Sequence, residues 1–256
     1  MKLTGRTILI TGGSAGIGLA FALKFLALGN DVIVTGRRQA VLDDVKAKHP
    51  RLHTIQSDIA DPKQIAELAA RLKADFPRLD VLMNNAGVGA AMNLASPASD
   101  LAALTSEVDI NLGGVIRMTS ALIDILTANH GTIINVSSGL AFIPLPSNAI
   151  YSATKAAVHS YTQSLRFQLE ASGVEVIELM PPAVRTDMTD EFAEHGISMI
   201  STDELVSQTV AALSAGKLEI RPGQSRQMAL MSRLAPNFVN RQLWKVSKQL
   251  VPMGGA

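Results

Sequence analysis

The sequence predicts a single α/β domain, a doubly wound parallel sheet of about seven strands with helices on both faces. Three observations carry this. Short β-branched and apolar runs alternate with longer helical patterns, the order that builds right-handed βαβ units. The 256 residues are 47% hydrophobic with a net charge of only +1, so the chain can bury a large core. No internal repeat, low-complexity tract or linker divides it, and α/β chains of roughly this length often form one unit. The expected organisation is one domain over residues 1–256, with a basic, partly apolar C-terminal extension at 226–256.

The elements follow in order. Thr7-Ile8-Leu9-Ile10 is a buried strand, then a Gly-rich turn and an amphipathic helix from Ile17 to Leu28. Asp31 to Thr35 is a second strand, and Gln39 to Lys48 a helix stopped by Pro50. Leu52 to Gln56 is a third strand, followed by a helix from Pro62 to Phe76 with proline in its first turn. Leu79 to Met83 is a fourth strand, and Leu101 to Ala128 one long helix. Thr132 to Val136, a helix from Tyr151 to Ala171, and Val174 to Leu179 come next. A helix from Thr202 to Ala215 and a short strand from Lys217 to Ile220 complete the sheet.

Composition excludes several classes. A near-neutral balance argues against a dedicated nucleic-acid binder. The absence of cysteine removes disulfides, thiolate catalysis and Cys-zinc sites. The apolar run after Lys2 is too short for a signal peptide, and no uninterrupted apolar stretch reaches the ~18 residues of a spanning helix, so a cytoplasmic address is expected. His49, His53, His130, His159 and His195 show no metal-ligand spacing, and no metal site is expected. His195 either lines a substrate pocket or faces solvent.

Charge is uneven. From Lys217 onward seven basic residues stand against Glu219, a net +6, which leaves −5 on the first 216 residues. Met228, Leu230, Met231, Leu234, Phe238, Val239, Leu243 and Trp244 add an apolar set with partly helical spacing. Such a tail either packs on the domain or a second subunit with its charges solvated, or touches a membrane surface.

Thr11-Gly12-Gly13-Ser14-Ala15-Gly16-Ile17-Gly18 joins the first strand to the first helix. Glycine lets the backbone approach a phosphate, and a helix N-terminus offers it free N–H groups and a partial positive charge. An ordinary βα turn is the plainer reading, but the strand–turn–helix context is what a dinucleotide site requires. The second strand ends in Gly36-Arg37-Arg38 where an NAD site would place an acid for the ribose 2′-hydroxyl. Two arginines in place of that acid favour NADP(H) over NAD(H), with Arg37 the first choice to hold the 2′-phosphate. Two solvated loop arginines are the alternative.

Tyr151 and Lys155 stand at i and i+4 on one helix face. A lysine at ~4 Å favours a phenolate, which would bring tyrosine into acid–base range. Ser138 ends the fifth strand thirteen positions earlier, where ligands bind in this architecture. Asn84-Asn85-Ala86-Gly87 closes the fourth strand with polar groups after an apolar run, and Asn111 is polar in an apolar stretch.

Together, Thr11-Gly12-x-x-x-Gly16-x-Gly18, Asn84-Asn85-Ala86-Gly87, Asn111, Ser138, Tyr151 and Lys155 resemble the short-chain dehydrogenase/reductase family, in order and spacing from about Thr7 to Thr186. The opening Met1-Lys2-Leu3-Thr4-Gly5, the Lys48-His49-Pro50 turn, Pro181-Pro182-Ala183-Val184 and Ser232-Arg233-Leu234-Ala235-Pro236 resemble its DltE-like bacterial branch. The resemblance implies a Rossmann-like sheet, hydride transfer between NAD(P) and a carbonyl or secondary alcohol, and a homodimer or homotetramer. It implies Tyr151 as general acid/base, Lys155 lowering its pKa and holding the nicotinamide ribose, Ser138 orienting substrate, and Asn111 supporting a water-linked proton relay. For the cofactor it implies Gly12, Ser14, Gly16, Ile17, Gly18, Arg37, Arg38, Asp58, Ile59, Asn85, Ala86, Gly87, Tyr151, Lys155, Pro181, Val184 and Thr186. Pro182 departs from the glycine common at that position and stiffens the loop. A mostly apolar substrate site is expected from Val88, Met92, Leu140, Phe142, Ile143, Met188 and Phe192. A dinucleotide-binding sensor or scaffold without turnover is the alternative function, disfavoured because a pure binder needs no phenol–amine pair.

Overall fold

The computed structural model describes residues 2–96, 100–189 and 197–251. Among them, β1 (Thr7–Thr11), β2 (Asp31–Gly36), β3 (His53–Gln56), β4 (Leu79–Asn84), β5 (Thr132–Val136), β6 (Glu175–Leu179) and β7 (Glu219–Ile220) form one sheet. Its order is β3-β2-β1-β4-β5-β6-β7, and every pairing is parallel. The order reverses between β1 and β4, and a ligand cleft forms where the carboxyl ends of such strands diverge.

Each central strand feeds both faces, because successive side chains point to opposite sides. Ile8 and Ile10 pack with Phe21 and Phe25 of α1 (Gly16–Ala27), Leu42 of α2 (Gln39–Lys48), and Leu205 of α7 (Thr202–Ser214). Leu9 points the other way, toward Leu68 and Leu72 of α3 (Pro62–Asp75), Leu122 of α5 (Gly114–Ala128), and Leu165 of α6 (Ala149–Gln168). Each such side chain contributes about 1.5–3 kcal/mol by leaving water. Asp61 caps α3 by accepting from the backbone of Lys63 and Gln64, and Ser201 caps α7 from Glu204.

The long helix expected over 101–128 is interrupted. It divides into α4 (Leu101–Val108), a π-helical turn (Asp109–Gly113) and α5. The wider turn carries Asn111 to full burial, where its amide bonds to backbone and to Thr154. One 18-residue stretch of this segment is apolar enough to cross a membrane, yet Met118, Leu122 and Leu126 pack into the sheet as core.

The other boundaries move by one to three residues. The helix expected from Tyr151 begins at Ala149 and gives way after Gln168 to a 3₁₀ turn, Glu170–Ser172. The last strand keeps only Glu219–Ile220 of the expected four residues. The tail forms α8 (Ser225–Leu234) and α9 (Pro236–Leu250), joined at a proline in the first turn of α9. These helices pack on the domain: Ser225 and Ser247 are fully buried, and the Ser247 hydroxyl accepts from the Ser147 N–H at 3.1 Å.

Candidate active site

The turn after β1 is built around close approaches. Gly12 has φ +64°, and a Cβ there would lie 2.8 Å from Ala86 Cα. A Cβ at Gly18 would lie 2.4 Å from the Gly12 carbonyl and 2.5 Å from Asn85 Nδ2. That amide donates to the carbonyls of Thr11 and Gly12 at 3.0 and 3.2 Å, and the Thr11 hydroxyl accepts from the N–H groups of Asn85 and Ala86. The ends of β1 and β4 are thereby stitched together at the point where the strand order reverses. Unlike α3 and α7, α1 has no side-chain cap at its N-terminus. Its first N–H groups therefore open into the cleft as anion donors.

This cleft has a volume of about 550 Å³. Every residue expected at the cofactor lines it. Gly12, Ser14, Gly16, Ile17 and Gly18 form the turn and helix start, and Arg37, Arg38, Asp58 and Ile59 lie beyond β2 and β3. Asn85, Ala86 and Gly87 follow β4, while Pro181, Val184 and Thr186 follow β6. Arg37 and Arg38 are exposed, and among the described residues neither guanidinium has an ion-pair partner. The cradle without side chains, the uncapped helix start and the two unpaired cations fit a phosphate-bearing dinucleotide.

Ser138, Tyr151 and Lys155 converge on the same cleft. Ser138 caps a 3₁₀ turn, Gly139–Ala141, and its Oγ accepts from the Leu140 N–H at 3.1 Å, which leaves the hydroxyl proton to donate. The Ser138 hydroxyl acts on the Tyr151 phenol to lower its pKa. Lys155 is buried, with Nζ 5.5 Å from the centre of the Tyr151 ring and donating to the Val136 carbonyl at 2.9 Å.

Burial dominates the electrostatics of the pair. It pushes the Tyr151 phenol up to about 12, against a lowering from the Ser138 hydroxyl and a further rise from the Glu107 carboxylate. Burial also pushes the Lys155 ammonium down to about 8. The expected lowering of Tyr151 by Lys155 is absent from this balance. The ammonium lies against the ring and a backbone carbonyl, and desolvation favours the neutral form of both groups.

Asn111 does not line the cleft. Its Oδ1 accepts from the Val88 N–H at 2.8 Å and its Nδ2 donates to the Val88 carbonyl at 2.8 Å and to Thr154 Oγ1 at 3.1 Å. Glu107, which sequence reasoning passed over, is 5% exposed and accepts from the Ala90 N–H at 2.8 Å. Asn111 and Glu107 thus pin the loop on either side of Gly89, whose backbone backs the Tyr151 ring: a Cβ there would lie 2.8 Å from Tyr151 Cδ2. Asn84 serves the sheet instead, donating to Asn135 Oδ1 at 2.9 Å while Asn135 donates to Thr162.

Of the expected substrate-pocket residues, Val88, Leu140 and Met188 line the cleft. Met92, Phe142 and Ile143 do not. Phe142 packs edge-on against His159 and under the Arg221 guanidinium, and Ile143 is core. Phe192 and His195 lie outside the described residues. Met228, Leu243 and Val246 of α8 and α9 take part in the wall. Behind Ser137, the fully buried Glu178 accepts from the Ser137 hydroxyl and pairs with His159 Nδ1 at 2.8 Å, which raises the His159 pKa. A β6 carboxylate between a strand-end serine and a helix histidine leaves no periodic signal in the sequence.

Residues 6–196 match the family model for short chain dehydrogenases. The chain belongs to the short-chain dehydrogenase/reductase family. It is an oxidoreductase of that family, acting on CH–OH or carbonyl groups with NAD(P). The uncharacterized oxidoreductase DltE of Bacillus subtilis (strain 168) is 39% identical over 224 residues, 86% of this chain and 89% of that protein. A short chain dehydrogenase from Burkholderia cenocepacia J2315, solved in complex with NADP, has a TM-score of 0.83 and 29% identity, covering 95% of this chain and 99% of that one. The 3-ketoacyl-(acyl-carrier-protein) reductase from Brucella melitensis, solved with NADH, has a TM-score of 0.75 and 27% identity over 83% of this chain and 91% of its own.

Proposed function

We propose that the chain is an NADP(H)-dependent oxidoreductase interconverting a carbonyl and a secondary or primary alcohol, with Tyr151 moving the proton. The observation that carries this is the convergence of Ser138, Tyr151 and Lys155 on the cleft that also holds the uncapped start of α1. Bound NADPH supplies the hydride taken up by the carbonyl carbon. Ser138 donates a hydrogen bond to the carbonyl oxygen and keeps its proton, since Leu140 already fills an acceptor position on its Oγ. Tyr151 then gives up its proton to that oxygen. A phenol held near 12 is fully protonated at neutral pH, which suits an acid working in the reductive direction. Lys155 holds positive charge beside the ring, and Asn111 acts as a positioning residue through Val88.

Solved relatives carry NADP in one case and NADH in another, so the preference rests on this chain's own residues. Arg37 and Arg38 stand unpaired at the end of β2, where an acid would serve NAD. Charge-assisted hydrogen bonds of about 1.5–3 kcal/mol to a 2′-phosphate correspond to roughly 10–100-fold. The test is steady-state turnover of one carbonyl with NADPH and NADH, in the native chain and in Arg37→Ala. The reading requires NADPH preference in the native chain and a rise of roughly 10–100-fold in the KM for NADPH in the variant, with KM for NADH unchanged. Equal use of both cofactors by the native chain overturns it. The proposal extends to a homodimer or homotetramer in the cytoplasm, supported by family membership.

A further inference from the structure

We propose that the substrate half of the cleft takes a neutral, extended apolar aldehyde, ketone or alcohol and rejects carboxylates, with the C-terminal helix pair as its wall. This rests on the reductase reading of Ser138 and Tyr151 and names the substrate class of that site. Beyond those two residues the cleft is bounded by Leu140, Leu145, Met188, Met228, Leu243 and Val246. Three of the six come from α8 and α9, so the tail is part of the site.

The tail is held there at two points. Ser247 accepts from the Ser147 backbone, and a Cβ at Gly139, next to Ser138, would lie 3.0 Å from Met228 Sδ and 2.9 Å from Ser225 Oγ. The Met228 sulfur therefore reaches the residue beside the carbonyl-binding serine. Leu243 and Val246, three apart on α9, continue the same inner face toward the buried Ser247.

Charge decides the class. Among the described lining residues the cations are Arg37, Arg38 and Lys155. The arginines lie at the end of β2 in the nucleotide half, and Lys155 Nζ is bound to the Val136 carbonyl under Tyr151. Among the described residues the substrate half offers the neutral amides Asn148 and Gln224, the Thr189 hydroxyl and the acid Asp187. A carboxylate there would be desolvated without a partner and next to a like charge, whereas each added methylene gains about fourfold in binding.

The experiment uses the full chain with NADPH. Aldehydes from butanal to decanal are compared with ω-oxo acids of matched length, and binding of 1-decanol and decanoate to the NADPH complex is measured by calorimetry. The expected result is kcat/KM rising about threefold to fourfold per methylene up to the capacity of the cleft, with the oxo acids at least ~10²-fold poorer. Leu243→Arg, or Met228→Arg where that variant folds better, narrows or inverts the ratio by placing a cation on the wall. Oxo acids turned over as well as aldehydes overturn the inference and leave the reductase reading standing. If no carbonyl is reduced, the reductase reading fails, and calorimetry still decides the class: tighter 1-decanol upholds it, tighter decanoate overturns it.

Discussion

Gly89→Ala tests whether the position of the Tyr151 ring sets the rate. The added methyl carbon would lie 2.8 Å from Tyr151 Cδ2, 3.3 Å from Cγ and 3.4 Å from Cε2. Carbon–carbon contacts sit at ~3.5–4.0 Å, so relief requires about 0.7–1.2 Å of movement. The loop is the stiffer partner. Asn111 holds both the N–H and the carbonyl of Val88, and Glu107 holds the N–H of Ala90, each at 2.8 Å, so Gly89 is pinned on both sides. The ring therefore gives way, and its phenol moves off Ser138. A displacement of ~1 Å at the reacting groups costs about 10²-fold in rate. The assay is NADPH oxidation at saturating carbonyl, with NADPH affinity from fluorescence titration and folding from thermal melting. The account predicts kcat down about 10²-fold with NADPH affinity unchanged. A folded variant with kcat within about threefold of the native value would refute the reasoning that the loop fixes the ring.

Gly18→Ala addresses the turn instead. Its methyl would displace Asn85, losing two hydrogen bonds of ~1 kcal/mol each and adding ~1–3 kcal/mol of overpacking, about 3–5 kcal/mol in all. Tm should fall by about 6–20 °C with loss of NADPH binding, and a Tm within about 2 °C of native contradicts the close approach. His159→Gln probes the Glu178 pair. Because Glu178 raises the His159 pKa, the stabilisation is fully present below the unfolded value of ~6.5 and is lost as pH rises through the folded value. The melting-temperature gap between native and variant should be widest near pH 6 and close toward pH 9; a gap independent of pH removes the ionic contribution.

The parallel sheet was legible because its strands are buried on both faces and so read as unbroken β-branched runs, Thr7 to Ile10 and Val32 to Thr35 among them. The nucleotide turn was legible because glycine spacing reports backbone approach directly, and Tyr151 with Lys155 because a four-residue step is a helix property. What depends on tertiary surroundings was not. Nothing in Val108-Asp109-Ile110-Asn111 marks a π turn, which is stabilised by the distant Val88 backbone. The balance of burial over charge at Tyr151 needs the enclosing walls, and one of those walls is the tail. Its inner stripe of Val239, Leu243, Val246 and Leu250 has helical spacing, a signal that would have pointed to packing on the domain. The sequence could not say that this packing falls beside Ser138, nor that Phe142 turns toward Arg221.

The central claim, that the Tyr151 phenol moves the proton in a reduction carried out at this cleft, is tested most directly by Tyr151→Phe. The change removes one oxygen and leaves the ring against Gly89 and Lys155. NADPH binding by titration and turnover of a reduced carbonyl should be measured side by side. The account predicts binding at native strength with kcat lower by about 10²–10⁴-fold. Turnover within tenfold of the native chain would contradict it.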